Sequence, residues 1–306
     1  MIEDDFDEED IIESTFSKFQ NNYLAHCSLI KQSSTWNREK RVLKTFGKFI
    51  GDIDLNTIDR QLIDNYIKYR LEQKTNKPNG IVSKSTVNLE LRHLKAIFNI
   101  AVSWNIIKKN PFWGVNMLRV PESDCPKYLT IAEIKKVRAT VKNTEWQNIV
   151  DFYLWTGVCL QEALSLTWNE INFENGIITI KSTNSKSKRN RFTGFTPDGE
   201  LGKMLLSLKK RKDNKVFGPP NINGKERPQW KVDTVCRNIS KVCSQIGLEW
   251  ATCHTFRHTF ASHLIMQGVP LYTVKELLGH STIKTTEIYA HLADYHKSKM
   301  IAKLPY

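Results

Sequence analysis

The chain has 306 residues, 40% of them hydrophobic and 25% charged, a globular composition whose length fits two domains better than one. No apolar run approaches the roughly 20 residues that span a bilayer, and the acidic start is not that of a secretory signal, so a cytoplasmic protein is expected. The formal charge is +13, yet residues 1–13 hold eight acids and no Lys or Arg, which leaves +21 on the remainder; such an excess favours a polyanion partner, and no basic amphipathic helix with an aromatic face points to a membrane instead. The six cysteines, Cys27, Cys125, Cys159, Cys236, Cys243 and Cys253, form no C-x-x-C pair and no zinc spacing. Reduced thiols, several of them small buried side chains, and no metal are expected.

The acidic segment 1–13 reads as a mobile tail. A run of helical patterns follows. Residues 35–50 place Trp36, Val42, Leu43, Phe46 and Phe49 at helical spacing, and Gly51 stops them. Asp59 is placed to cap a helix with Ile63, Tyr66 and Ile67 on one face, and the polar stretch 74–80, with Pro78 and Gly80, reads as a loop. Residues 85–104 form a strong helix with Leu91, Leu94, Ile97, Phe98 and Ala101 inside; Lys84, Arg92 and Lys95 fall mostly elsewhere, as a face for a nucleic-acid backbone or as an ordinary solvated face. Asn110-Pro111 ends this region, and the two prolines of 119–126 mark a linker between a first domain, 14–118, and a second, 127–306.

Thr130 with Glu133 three residues on is a capping-box pattern opening a new helix. Residues 149–168 look like one apolar helix. Residues 176–181 and 191–195 read as strands joined by the polar turn 182–190, and three or more helices finish the chain.

The densest pattern is His254-Thr255-Phe256-Arg257. Positions three apart share a helix face, so imidazole and guanidinium can converge on one anion. Leu277-Leu278-Gly279-His280 follows, with Gly279 suited to a helix end, and Tyr289 lies nine residues past His280. Each residue alone fits a structural role; the ordered combination does not.

This combination resembles the C-terminal signature of the tyrosine recombinase (phage integrase) family. Upstream, Thr156-Gly157-Val158-Cys159-Leu160-Gln161-Glu162 through Leu166 and Trp168 resembles the family's first box, T-G-x-R-x-x-E-x-x-x-L-x-W. Lys186 and Arg191 keep the family's spacing between a turn lysine and the arginine that opens the next strand. The match covers roughly residues 125–297. It implies a mainly α fold with a small antiparallel sheet, built as a helical N-terminal DNA-binding domain and a mixed α+β catalytic domain.

The resemblance also implies a site-specific recombinase that integrates or excises a mobile element by cutting and rejoining DNA. Tyr289 would attack a phosphodiester, giving a 3′-phosphotyrosyl link and a free 5′-hydroxyl. Bond energy is conserved, so no ATP or other cofactor is implied. Arg257 would bind a non-bridging oxygen, His254 and His280 would donate to or exchange protons with the phosphate and the attacking oxygen, and Lys186 would protonate the leaving oxygen. Glu162 would orient the histidines, or be an ordinary helix acid. Lys188, Arg189 and Arg191 would contact backbone phosphates; His258 and His263 would be structural. Tyr295, fifteen residues past His280, lies too far to be the nucleophile. The resemblance further implies four protomers on two duplexes, joined through the tail 290–306.

One position departs from the pattern. The first box calls for an arginine where Cys159 stands, and no Lys or Arg lies between Lys142 and Lys181. A thiol with a reference pKa of about 8.5 is mostly neutral and cannot clamp a phosphate. Three accounts fit: a substitution made to trap a DNA complex, natural decay, or a cation brought in from a distant part of the sequence. The first two are favoured here. An impaired recombinase is therefore expected, with a non-catalytic DNA-binding or architectural protein as the alternative and a nicking-closing topoisomerase as a third reading.

Overall fold

The structure is a computed structural model. It describes residues 15–75, 80–121, 125–142, 144–181, 190–209, 214–219 and 229–293. The acidic segment 1–13, most of the turn 182–190 with Lys186, Lys188 and Arg189, and residues 294–306 lie outside these. The chain divides after Ser123 into two compact units. Among the described residues it is mainly helical, with one three-stranded antiparallel sheet.

The first unit holds α1 (Phe16–Ile30), α2 (Ser33–Ile50), α3 (Arg60–Glu72) and α4 (Lys84–Ser103). Helix α1 was not singled out by the sequence reading, although Phe16, Phe19, Tyr23 and Cys27 recur at three- and four-residue steps and are all buried. Gly51 ends α2 with φ 74°, and the Asp59 carboxylate accepts from Leu62 N at the start of α3. Ser83 caps α4, which begins one residue before the expected start. Two buried carboxylates tie the helices in pairs. Glu39 accepts from the Tyr23 hydroxyl and Lys31, and Glu90 accepts from the Tyr66 hydroxyl and, through both oxygens, from Arg70. Lys84 and Arg92 are exposed, while the Lys95 ammonium lies 4.8 Å from the ring centroid of the exposed Trp113.

The second unit opens with α5 (Ile131–Thr140), whose Thr130–Glu133 capping box is formed on both sides. The single helix expected over 149–168 is instead two: α6 (Thr144–Thr156) and α7 (Leu160–Ser165). The break is local chemistry. Thr156 bonds back to Phe152 O and receives Val158 N, and Gly157 adopts φ 61°. A Cβ at Gly157 would lie 2.3 Å from Phe260 Cδ1, so the conformation and the packing both require glycine there.

Strands β1 (Ile171–Asn172), β2 (Ile177–Ile180) and β3 (Arg191–Gly194) follow, in the order β1-β2-β3. The first is a two-residue addition to the expected hairpin. Helices α8 (Glu200–Lys209), α9 (Val232–Gln245), α10 (Cys253–Met266) and α11 (Leu271–Leu278) complete the unit, and a 3₁₀ segment, Glu287–Ala293, carries Tyr289. Helix α10 packs against α6, α9, α11 and that segment, and α11 also meets β3. The main core joins α5 to α9 and the sheet, while a smaller cluster of Phe260, Ala261, Ile265, Val274 and Leu278 surrounds Tyr289. Among the described residues no helix is long and apolar enough to cross a membrane, and no cluster of His, Cys, Asp and Glu could hold a metal ion.

Candidate active site

The motif residues come together where α10, the end of α11 and the α6–α7 break meet. Because α6 ends at Thr156, the carbonyl of Gly157 points out of any helix and accepts from Arg257 Nη1 at 2.8 Å. Arg257 Nη2 donates to the carbonyl of Leu278, at the C-terminal end of α11, where helices leave carbonyls without intrahelical partners. The guanidinium is thus held from two directions by backbone. Its burial weighs against its charge, although an arginine stays protonated at any working pH.

Gly279 closes α11 in the left-handed conformation, φ 69°, and His280 N bonds back to Lys275 O. This geometry places the His280 ring beside Arg257, with Nδ1 2.8 Å from the Thr286 hydroxyl. Burial, then the charges of Arg257 and Arg191, push its pKa down to about 4, so it is neutral at pH 7.

Tyr289 is 1% exposed. Burial raises its hydroxyl to about 12, with Arg257 pulling the other way. The hydroxyl lies 2.6 Å from His258 Nδ1. His258, expected to be structural, therefore touches the expected nucleophile directly. Nothing in its position next to Arg257 announces this, since the contact crosses from α10 to a segment 31 residues on. His254 sits one turn before His258 on the exposed side of α10, and its charge bears on His258. His263 does have the expected structural place, with Nε2 3.0 Å from Leu129 O.

Two expectations need correction. Arg191 is not a surface contact for phosphates. Its side chain is buried, with Nη1 and Nη2 donating to the two oxygens of Glu162 at 2.6 and 2.7 Å and Nε to Leu277 O at 3.2 Å. A Cβ on Gly279 would lie 2.8 Å from Arg191 Cδ, so the glycine also makes room for this side chain. Nor does Glu162 reach the histidines: besides Arg191, it accepts from Cys159 N at 3.0 Å. Burial pushes its carboxyl up, but the Arg191 bonds and charge outweigh that and hold it below the usual range.

Cys159 caps α7 and is partly buried. Burial, then Glu162, push its thiol up to about 11, so it is neutral. The position that lacks an arginine therefore lies within two hydrogen bonds of another one. The charges of Arg191 and Arg257 bear on each other and jointly on His280. The Arg257 guanidinium, the His258 and His280 imidazoles and the Tyr289 phenol are thus brought together, with Arg191 held behind them by Glu162.

Comparison with known proteins gives the family. The model of the phage integrase family matches residues 127–296, and that of the phage integrase SAM-like domain matches residues 15–117. The chain is 28% identical to a tyrosine recombinase of Pseudothermotoga lettingae, over 83% of this chain and 85% of the relative. It is 31% identical to the integrase of Haemophilus phage HP1, over 83% of this chain and 70% of that protein. A crystal structure of a lambda integrase tetramer bound to a Holliday junction shares the fold with a TM-score of 0.71 at 16% identity, covering 88% of this chain and 78% of the other. The chain belongs to the phage integrase family.

Proposed function

We propose that the protein is a cytoplasmic site-specific DNA recombinase that integrates or excises a mobile element through a 3′-phosphotyrosyl intermediate. The observation that carries this reading is the Tyr289 hydroxyl, in contact with His258 and under the charge of Arg257, which bears on His280 as well. In this reading residues 14–118 bind DNA, with Lys84, Arg92 and Lys95 on its backbone, and residues 127–306 carry the chemistry. Lys188 and Arg189 add phosphate contacts from the turn. Four protomers act on two duplexes, in keeping with the lambda integrase tetramer bound to a Holliday junction, and in this reading they exchange the tail 290–306.

Tyr289 attacks the scissile phosphorus, and Arg257 binds a non-bridging oxygen with the planar fork that suits phosphate. His254 and His280 donate to the phosphate as charge develops, and Lys186 protonates the leaving 5′-oxygen. Glu162 fixes Arg191 and the α7 turn rather than the histidines.

Cys159 supports a second reading, a protein that holds its DNA site without turnover. Losing one oxyanion donor costs about 10² to 10³ in rate, while binding spreads over many phosphate contacts and changes little. Single-turnover cleavage of a nicked suicide substrate, beside a binding curve, separates the readings. Cys159→Arg is expected to speed cleavage by about 10² or more with little change in affinity. Equal, measurable rates mean that a cation distant in sequence already supplies the missing charge. An inert Cys159→Arg chain that still binds favours the DNA-binding reading.

A further inference from the structure

We propose that His258 is the base that takes the hydroxyl proton of Tyr289 when the tyrosine attacks DNA. The inference deepens the functional reading above and rests on it, since it takes Tyr289 as the nucleophile.

The geometry is direct. His258 Nδ1 and Tyr289 Oη are 2.6 Å apart, the ring centroids are 5.8 Å apart, and the ring planes meet at 53°. The contact thus runs from a ring nitrogen to the hydroxyl, within the reach required of a general base. His280 is differently engaged, with its Nδ1 on the Thr286 hydroxyl. A buried phenol raised to about 12 is almost wholly protonated at neutral pH and makes a weak nucleophile without a base.

His258 is suited to that task. Burial first, then the charges of His254 and Arg257 on its own helix, hold its pKa below the usual histidine value, so at pH 7 the ring is neutral and can accept. The elements packed against α10 carry further titratable groups: Glu287, Tyr289 itself and His291 on the terminal segment, Tyr272, Lys275 and Glu276 on α11 with His280 just past its end, Glu145, Asp151 and Tyr153 on α6, and Asp233, Cys236, Arg237, Lys241 and Cys243 on α9. Of these, Tyr289 is in contact with His258, and the charge of His258 bears on His280.

The step balances. Tyr289 Oη forms a bond to phosphorus, the bond from phosphorus to the 5′-oxygen breaks, and the phenol proton passes to His258 Nδ1. The 5′-oxygen takes its proton from the acid of the site, assigned above to Lys186. On rejoining, the 5′-hydroxyl attacks and gives its proton back to Lys186, the bond from phosphorus to Tyr289 Oη breaks, and the imidazolium of His258 returns its proton to the tyrosine oxygen as it leaves.

The test uses the full chain, both as it stands and with Cys159→Arg. His258→Ala is expected to cut single-turnover cleavage by about 10² to 10⁴ with unchanged DNA affinity. His258→Gln, which keeps a hydrogen-bonding group but no titrating base, should be as slow. Replacing Tyr289 by a trifluorotyrosine, whose phenol is far more acidic, should return at least about tenfold of the lost rate in His258→Ala and much less in the parent. The parent should also slow as pH falls through the depressed pKa of His258, a limb that the variants lack. A loss that the acidified phenol does not relieve assigns His258 a structural role and overturns the proposal, as does a variant that cleaves like the parent. An adduct that forms on a residue other than Tyr289 instead overturns the functional reading beneath it. Nitrogen-15 NMR of histidine-labelled protein without DNA gives an answer independent of turnover. At neutral pH, Nδ1 of His258 should be unprotonated and Nε2 should carry the proton; a protonated Nδ1 contradicts the proposal.

Discussion

Cys159, Glu162 and Arg191 show how one changed residue is read differently once its neighbours are known. In sequence, Cys159 is a gap in a charged motif with no cation nearby. In space, the carboxylate of Glu162 joins the Cys159 N–H to the Arg191 guanidinium. The Lys186-to-Arg191 spacing was legible, but the burial of Arg191 was not, because it depends on β3 lying against α7 and the carbonyls of α11. His280 was legible from Leu-Gly-His, and its depressed pKa makes a prediction. The folded value of about 4 lies below the ordinary value of about 6.5. Between these the unfolded chain binds the extra proton, so this contribution to stability is present above about pH 6.5 and is lost as pH falls toward 4. In urea titrations across that window, the parent should lose stability relative to His280→Gln. A difference between the two that does not change with pH would show that the ring is not held neutral.

At the scale of elements, the helix starts and stops were the most readable features. Asp59, Thr130 and Gly279 act at the positions their chemistry suggested, because caps and left-handed turns depend on a few adjacent residues. The α6–α7 break was missed because the apolar pattern runs through it. Its cause is partly tertiary: Phe260 of α10 occupies the space beside Gly157. The break matters for function, since it frees the Gly157 carbonyl that holds Arg257. Gly157→Ala must place a Cβ against Phe260 at a positive φ, so a loss on the order of 3 kcal/mol is expected, seen as a lower urea midpoint at unchanged slope. A loss below about 0.5 kcal/mol would mean that the turn has another conformation.

At the scale of the whole molecule, charge and chemistry divide the work. The +21 outside the first thirteen residues predicts binding that weakens steeply with salt, with a log–log slope of about −0.9 per phosphate contact. Lys84 and Arg92 are exposed on α4. Replacing both with alanine should make that slope shallower by about 2 if each meets a phosphate, with sequence preference unchanged; an unaltered slope would remove this face from the DNA interface. The catalytic half rests on one hydroxyl. The central test is therefore where protein becomes joined to DNA: a nicked recognition site is incubated with the Cys159→Arg chain, and the modified peptide is mapped by mass spectrometry. The adduct is expected on Tyr289, absent from Tyr289→Phe although that variant binds the site normally, and present in Tyr295→Phe. An adduct that survives Tyr289→Phe, or that disappears with Tyr295→Phe alone, would contradict the account.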